Sequence, residues 1–261
     1  MPIAKINGIN INYHVEGTGE PLVMIMGFSG DLSGWRYQTP VLKKHFQLIT
    51  FDNRGVGKSD KPPAPYSIEM MAEDTFGLMD YLNIKQAHIM GVSMGGTIAE
   101  EMAITRPDRV LKLILASTHA GTDNRLNGGT KEIIEAWDLP VRSLTKRLLG
   151  LCCNKPLNRL VFVPLLRLRI NRLGEAEATG LLGQREAARE YHALDRLPLI
   201  KAHTLVIAGS ADRVVKPSSS DVLAERIPHA RLVKIKGGSH MVGFEMKNVF
   251  NREVLKFLTS T

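Results

Sequence analysis

The hydrophobic positions along the chain fall into two alternating rhythms. Ile9–Val15 alternates apolar and polar residues beside Asn7-Gly8, a turn signal, and predicts an antiparallel hairpin at a sheet edge. Pro21-Leu22-Val23-Met24-Ile25-Met26 is an unbroken apolar run ending at Gly27, the pattern of a strand buried on both faces of a parallel sheet. Phe46–Phe51 repeats it and runs into Asp52-Asn53-Arg54-Gly55. Ile68, Met71, Ala72, Thr75, Leu78, Met79 and Leu82 then recur at helical spacing. The alternation continues with predicted strands at Ala87–Val92, Leu111–Ser117, Thr204–Ala208 and Arg231–Ile235. Predicted helices fall at Gly96–Arg106, Ser218–Ile227 and Val249–Leu258. Strands taking turns with helices predict an α/β fold built on a mostly parallel, doubly wound sheet.

The stretch 121–200 breaks this rhythm. It holds no strand-like run, and its best-patterned helices are Arg142–Leu151 and Glu175–Leu194. It reads as an insertion between two consecutive sheet strands, so that 1–120 and 201–261 form one core with 121–200 folded over it.

Composition narrows the class. With 261 residues, 44% hydrophobic and 23% charged, the chain can bury a full core, which excludes disorder and disulfide scaffolds. The opening MPIAKINGIN has no apolar stretch of a secretory signal, and no run approaches the roughly 20 residues of a membrane span. The only cysteines, Cys152 and Cys153, are neighbours, which predicts two reduced thiols in a cytoplasmic protein. The net charge of +8 is partly local: Arg142, Lys146, Arg147, Lys155, Arg159, Arg167, Arg169 and Arg172 follow one another with no Asp or Glu between. The simplest reading is the solvated face of one or two helices. Attraction for an anionic substrate is a weaker alternative. No zinc-finger spacing, RNP-like strand or helix-turn-helix accompanies the cluster, so no nucleic acid is predicted.

Candidate chemistry concentrates where strands end. Gly91-Val92-Ser93-Met94-Gly95 is a G-x-S-x-G directly after one predicted strand and directly before a helix. As a bare pattern it is weak; its placement makes it strong. A sharp strand-to-helix turn strains the serine backbone, requires small residues two before and two after, and lifts the hydroxyl above the sheet beside a helix amino terminus. A serine needs a base. Of eight histidines, His240 in Lys236-Gly237-Gly238-Ser239-His240 follows the last predicted strand, where sites gather in open α/β sheets. A carboxylate should orient it, and Asp212 in Gly209-Ser210-Ala211-Asp212 follows the strand before. Asp221 falls inside the next helix and is a poor substitute, and Asp123 suits a capping role.

The order Ser93, Asp212, His240 after these strands resembles the α/β-hydrolase fold family over nearly the whole chain. Asp52-Asn53-Arg54-Gly55-Val56-Gly57-Lys58-Ser59 is similar to the family's D-x-R-G-x-G-x-S loop, and Leu205-Val206-Ile207-Ala208-Gly209 to its approach to the acid. The resemblance implies Ser93 as nucleophile, His240 as general base, Asp212 as orienting acid and 121–200 as a helical cap. It also implies an oxyanion hole from the backbone N–H groups of Met94 and Phe28. Met26-Gly27 stands where many relatives have His-Gly, which leaves open how that loop is held and whether Met26 narrows the pocket. Met26, Trp35 and Trp137 are candidate pocket residues, Trp35 equally a buried anchor; Met24 and Met90 suit core packing, and Arg54 a structural role.

Within the family, Ser93 argues against the dehalogenases and epoxide hydrolases, which use aspartate at this turn. Met94 is not the aromatic residue usual after the serine of proline-releasing peptidases. No histidine pair has metal-binding spacing and no nucleotide fingerprint occurs, so neither metal nor cofactor is predicted. The expected activity is hydrolysis of a small-molecule carboxylic ester or lactone, with acyl-homoserine lactones among the candidates. The alternatives are a small-molecule receptor on the same fold, or a lyase or peroxidase-like enzyme with the same three residues.

Overall fold

The structure is a computed structural model that describes residues 2–121, 133, 135–156, 160, 163–164, 168 and 170–260. The predicted edge hairpin forms from β1 (Ile3–Ile6) and β2 (Ile9–Glu16), paired antiparallel with Ile6 opposite Ile9. Asn7 and Gly8 between them both take positive φ, 49° and 82°, as a tight two-residue hairpin turn requires. The unbroken apolar runs become β3 (Glu20–Ile25), β4 (Phe46–Phe51), β5 (Ala87–Val92), β6 (Val110–Ala116), β7 (His203–Gly209) and β8 (Ala230–Ile235). One eight-stranded sheet results, in the order β1-β2-β4-β3-β5-β6-β7-β8. β2 meets β4 antiparallel, and every pairing from β4 onward is parallel.

The runs are unbroken because both faces of these strands are covered. Val23 and Ile25 point into one core, where α2 (Ile68–Tyr81) and α3 (Met94–Thr105) pack. Leu22 and Met24 point into the other, shared with α1 (Thr39–Leu42) and the carboxyl-terminal helix Lys247–Leu258. All four strand residues are fully buried, each worth about 1.5–3 kcal/mol relative to exposure. Met24 and Met90 lie in this second core, as their pattern predicts. The helix predicted from Gly96 starts two residues earlier, with Ser93 itself at its N-cap.

Between β6 and β7 the described residues are helical, with α4 (Val141–Cys152) and α5 (Glu175–Glu190). The helix predicted to reach Leu194 stops at Glu190 because the chain beyond is captured by the exit of β6: His192 bridges Gly121, and the Ala193 N–H donates to Ala120 at 2.8 Å. Asp123 and three of the basic cluster, Arg159, Arg167 and Arg169, lie outside the described residues. α6 (Pro217–Arg226), the short α7 (Val242–Glu245) and α8 (Lys247–Leu258) complete the chain. Among the described residues no helix is long and apolar enough to cross a membrane. Parallel pairing brings the segments that follow β3, β5, β6, β7 and β8 to one rim of the sheet, and the candidate residues sit there.

Candidate active site

Ser93 occupies the turn between β5 and α3 with φ 54° and ψ −124°, a backbone conformation that costs a non-glycine residue about 1–3 kcal/mol. Hydrogen bonds to both its N–H and its carbonyl over-determine it. The Ser93 N–H donates to Ala116 at 2.8 Å, and its carbonyl accepts from Gly96 N–H at 2.7 Å and Thr118 Oγ1 at 2.8 Å. The small flanking residues are required by close approach: a Cβ on Gly91 would strike the Gly95 carbonyl, and one on Gly95 would strike the Ile25 carbonyl.

The structure brings the three candidates from three loops into one hydrogen-bonded line. Asp212 Oδ1 is fixed by the Val214 and Val215 N–H groups at 2.8 and 3.0 Å, which leaves Oδ2 to take His240 Nδ1 at 2.8 Å. His240 Nε2 lies 3.1 Å from Ser93 Oγ. A carboxylate can only accept, so the imidazole carries its proton on Nδ1 and offers the Nε2 lone pair to the serine hydroxyl. Asp212 and His240 are buried and Ser93 is half-buried, so the line opens to a reactant at the serine end. Asp221 is elsewhere, in the helix Pro217–Arg226 and ion-paired with Lys234 of β8.

The loop after β3 lies against this turn. A Cβ on Gly27 would sit 2.9 Å from the Val92 carbonyl and 3.0 Å from Ser93 Cβ. The loop is held from three sides without the His-Gly pair of other chains. Asn53 Nδ2 donates to the Met26 carbonyl at 2.9 Å, Asp52 Oδ1 accepts the Leu32 N–H at 2.8 Å, and Gln184 Oε1 accepts the Ser29 N–H at 3.0 Å. Neither the Phe28 nor the Met94 N–H has an acceptor among the described residues. The Met26 side chain folds back over Gly30 and Gly34.

Above Ser93 is a cavity of about 370 Å³. Met26, Phe28, Trp35, Met94 and Trp137 all line it. Trp35 serves both of its candidate roles, since it is also buried among the second core. α4 and α5 close the wall with Leu148, Cys152 and Ala188. The described members of the basic cluster do not line it: Arg142 instead donates to the Leu173 carbonyl at 2.6 Å and Lys155 to the Glu245 carbonyl at 2.7 Å. The described members therefore make no direct contact with the space a substrate would fill. Among the described residues, no three His, Cys, Asp or Glu side chains cluster to hold a metal ion.

A sequence profile described as alpha/beta hydrolase fold matches residues 20–246. The chain belongs to the α/β-hydrolase fold family. This hydrolase is 31% identical over 97% of its length, and 98% of the other's, to a Mycobacterium tuberculosis protein provisionally named non-heme bromoperoxidase BpoC. It is 28% identical to 3-oxoadipate enol-lactonase 2 of Acinetobacter baylyi, covering 94% of this chain and 92% of that one. The crystal structure of the enol-lactonase from Burkholderia xenovorans superposes with a TM-score of 0.86 at 29% identity, over 99% of this chain and 100% of the other.

Three residues of the hydrolase's site escape the sequence reading. Gln184 is fully buried and also donates to the Arg54 carbonyl at 2.8 Å. Its signal is legible afterwards: it shares a helix face with Leu181, Ala187 and Ala188, so it is a polar residue in an apolar stripe. Glu245 lies in a run of apolar neighbours and accepts Ser239 Oγ at 2.5 Å, beside His240. His119 lines the cavity just after β6. Arg54 is structural as read, with Nε and Nη2 on the two Asp74 oxygens at 2.6 and 2.7 Å.

Proposed function

We propose that the protein is a carboxylic-ester hydrolase acting on esters of short or medium acyl chains or on lactones. The observation that carries this reading is the unbroken Ser93–His240–Asp212 hydrogen-bond line at the floor of a largely apolar cavity. Ser93 Oγ attacks the carbonyl carbon while His240 Nε2 takes its proton. Negative charge moves to the carbonyl oxygen, which the Phe28 and Met94 N–H groups receive at the amino end of α3. Collapse of this intermediate breaks the ester bond, and His240 returns its proton to the departing alkoxide. Water then attacks the acyl-enzyme, losing a proton to His240 Nε2, and the carboxylic acid leaves as Ser93 recovers its hydrogen. A lactone follows the same course with its alcohol still tethered. Asp212 keeps the imidazole in the required tautomer and stabilises its cationic form. The helical segment between β6 and β7 acts as a cap, and Trp137 with Leu148 shapes the acyl pocket.

The test is steady-state turnover by the purified protein on p-nitrophenyl acyl esters, acyl-homoserine lactones and simple γ-lactones. Multiple turnovers are expected, with Ser93→Ala lowering kcat by at least about 10⁴-fold. The ratio of lactone to ester efficiency then assigns the preferred substrate. Absence of turnover on every substrate by folded protein would sink the reading and favour a receptor or a peroxidase-like reaction.

A further inference from the structure

The segment leaving β6 carries Ser117, Thr118 and His119 along the rim. Thr118 holds the Ser93 carbonyl, whereas His119 lines the cavity without joining the Ser93–His240–Asp212 line. Its Nδ1 lies 3.0 Å from the Gly121 backbone nitrogen. A backbone N–H can only donate, so Nδ1 is the acceptor and the proton of the neutral ring is on Nε2. The donor is itself fixed: Gly121 has φ 143° and bridges His192, and a Cβ there would sit 2.8 Å from the Tyr191 carbonyl. The ring is therefore oriented from behind by backbone that the end of the insertion clamps. Nε2–H has no acceptor among the described residues and belongs to a half-buried side chain lining the cavity. Burial, with His240 nearby, holds the imidazole down to about 4, so the ring is neutral at neutral pH.

We propose that His119 is a substrate-binding residue whose Nε2–H donates to a second, uncharged oxygen of the substrate, outside the ester or lactone group being cleaved. This rests on the ester-hydrolase reading. There the carbonyl oxygen of the cleaved group is held by Phe28 and Met94 and the serine proton by His240, so His119 is left to read another part of the molecule. One neutral donor in a largely apolar wall suits a keto, ether or hydroxyl oxygen. It gives a carboxylate no counter-charge, and the cation among the described lining residues, Arg36, is exposed with its guanidinium over the Tyr37 and Phe244 rings; an anion buried at His119 without a counter-charge is costly. The substrate class is thus an ester or lactone bearing a further uncharged oxygen.

The experiment compares p-nitrophenyl octanoate with analogues in which one chain methylene is replaced by an ether oxygen, walked along the chain. Each kcat/KM is normalised to the ester's alkaline hydrolysis rate. One position is expected to be favoured about tenfold over the all-carbon ester by the wild-type protein. His119→Phe is expected to bring that ratio to about one, and His119→Gln, which keeps an N–H donor, to restore part of it. No favoured position, or a preference that survives in His119→Phe, overturns the proposal. Should neither variant fold, long-range ¹H–¹⁵N spectra of the wild-type protein decide. They are expected to show the Nε2–H tautomer without titration between pH 5 and 8, and the Nδ1–H tautomer would overturn it. Turnover that survives Ser93→Ala defeats the ester-hydrolase reading instead, whatever the tautomer.

Discussion

The rim of the sheet and the helical segment between β6 and β7 meet at the same cavity and contribute in different ways. Every atom of the proposed chemistry comes from the rim, and its placement is mostly local. Ser93 is pinned by Ala116, Gly96 and Thr118, and Asp212 by the N–H groups two and three residues on. The helical segment supplies no reacting atom. It supplies braces: Gln184 holds the loop carrying Phe28, while the chain just past α4 is stitched to both neighbouring loops. Asn154 and Lys155 N–H groups donate to Glu245 at 3.2 and 2.9 Å, Met241 N–H to the Cys152 carbonyl at 3.1 Å, and Asn154 Nδ2 to the Ala211 carbonyl at 2.8 Å. Glu245 in turn takes the Ser239 hydroxyl next to His240. Strand ends therefore decide which groups react, and the inserted segment decides how firmly three of the loops are held.

The sharpest way to break this contrast is at the rim. Asp212→Asn keeps the size of the side chain but can place an amide N–H against His240 Nδ1, which favours the wrong tautomer. The expected loss is about 10⁴-fold in kcat with the fold intact, measured by turnover beside thermal unfolding. A loss below tenfold would mean that the carboxylate does not orient the base, and that this loop is no more than scaffold.

Gln184 tests the brace. Gln184→Leu removes the acceptor for the Ser29 N–H and the donor to Arg54 while keeping similar bulk. If the loop is held in order to aim the Phe28 N–H, kcat is expected to fall about 10- to 100-fold with KM little changed, because an oxyanion exists only after attack. A boronic acid that forms a tetrahedral adduct with Ser93 should lose affinity in parallel, and a product alcohol should not. A rise in KM at constant kcat would instead make Gln184 part of the pocket wall.

The same contrast explains what the sequence discloses. The rim is legible because its rules are local: an apolar run, a glycine, and one chemistry-bearing residue within a few positions. Ser93, Asp212 and His240 each follow that grammar, and the observed strands differ from the predicted runs by about a residue at either end. The braces obey no local rule. Ser29 and Gln184 are 155 positions apart, and Asn154 and Glu245 are 91 apart. Only the folded insertion brings them together. The early end of α5 has the same origin, since helical periodicity continues past Glu190 while Gly121 and Ala120 pull the backbone straight. The basic run reads as one feature along the chain, yet Arg142 and Lys155 spend their donors on carbonyls away from the cavity.

The smallest expected effect lies where the two regions join behind Ser93. Glu100 on α3 is fully buried, and among the described residues neither of its carboxylate oxygens has a hydrogen-bond partner. Arg196, from the end of the insertion, is 2.9 Å from Glu101 instead, and the buried Tyr191 hydroxyl has no partner among the described residues. Burial pushes the Glu100 carboxyl well above the usual range, and the neighbouring Glu101 adds to the shift. Between the ordinary carboxylate range and this raised value the folded state binds more protons than the unfolded chain, so stability falls as pH rises. Glu100→Gln keeps the shape and removes the ionisation. It is expected to stabilise the protein at pH 8 by on the order of 1 kcal/mol, about 2–4 °C in Tm, with the gain fading towards pH 4. Thermal unfolding across that range measures it, with ester turnover alongside to show the rim undisturbed. A gain independent of pH would mean that folding does not shift the Glu100 carboxyl, which would then ionise as readily in the folded protein as in the unfolded chain. A loss at pH 8 would mean that its charge is balanced by Arg196, and that the insertion is fastened to α3 by a shared ion pair rather than by packing.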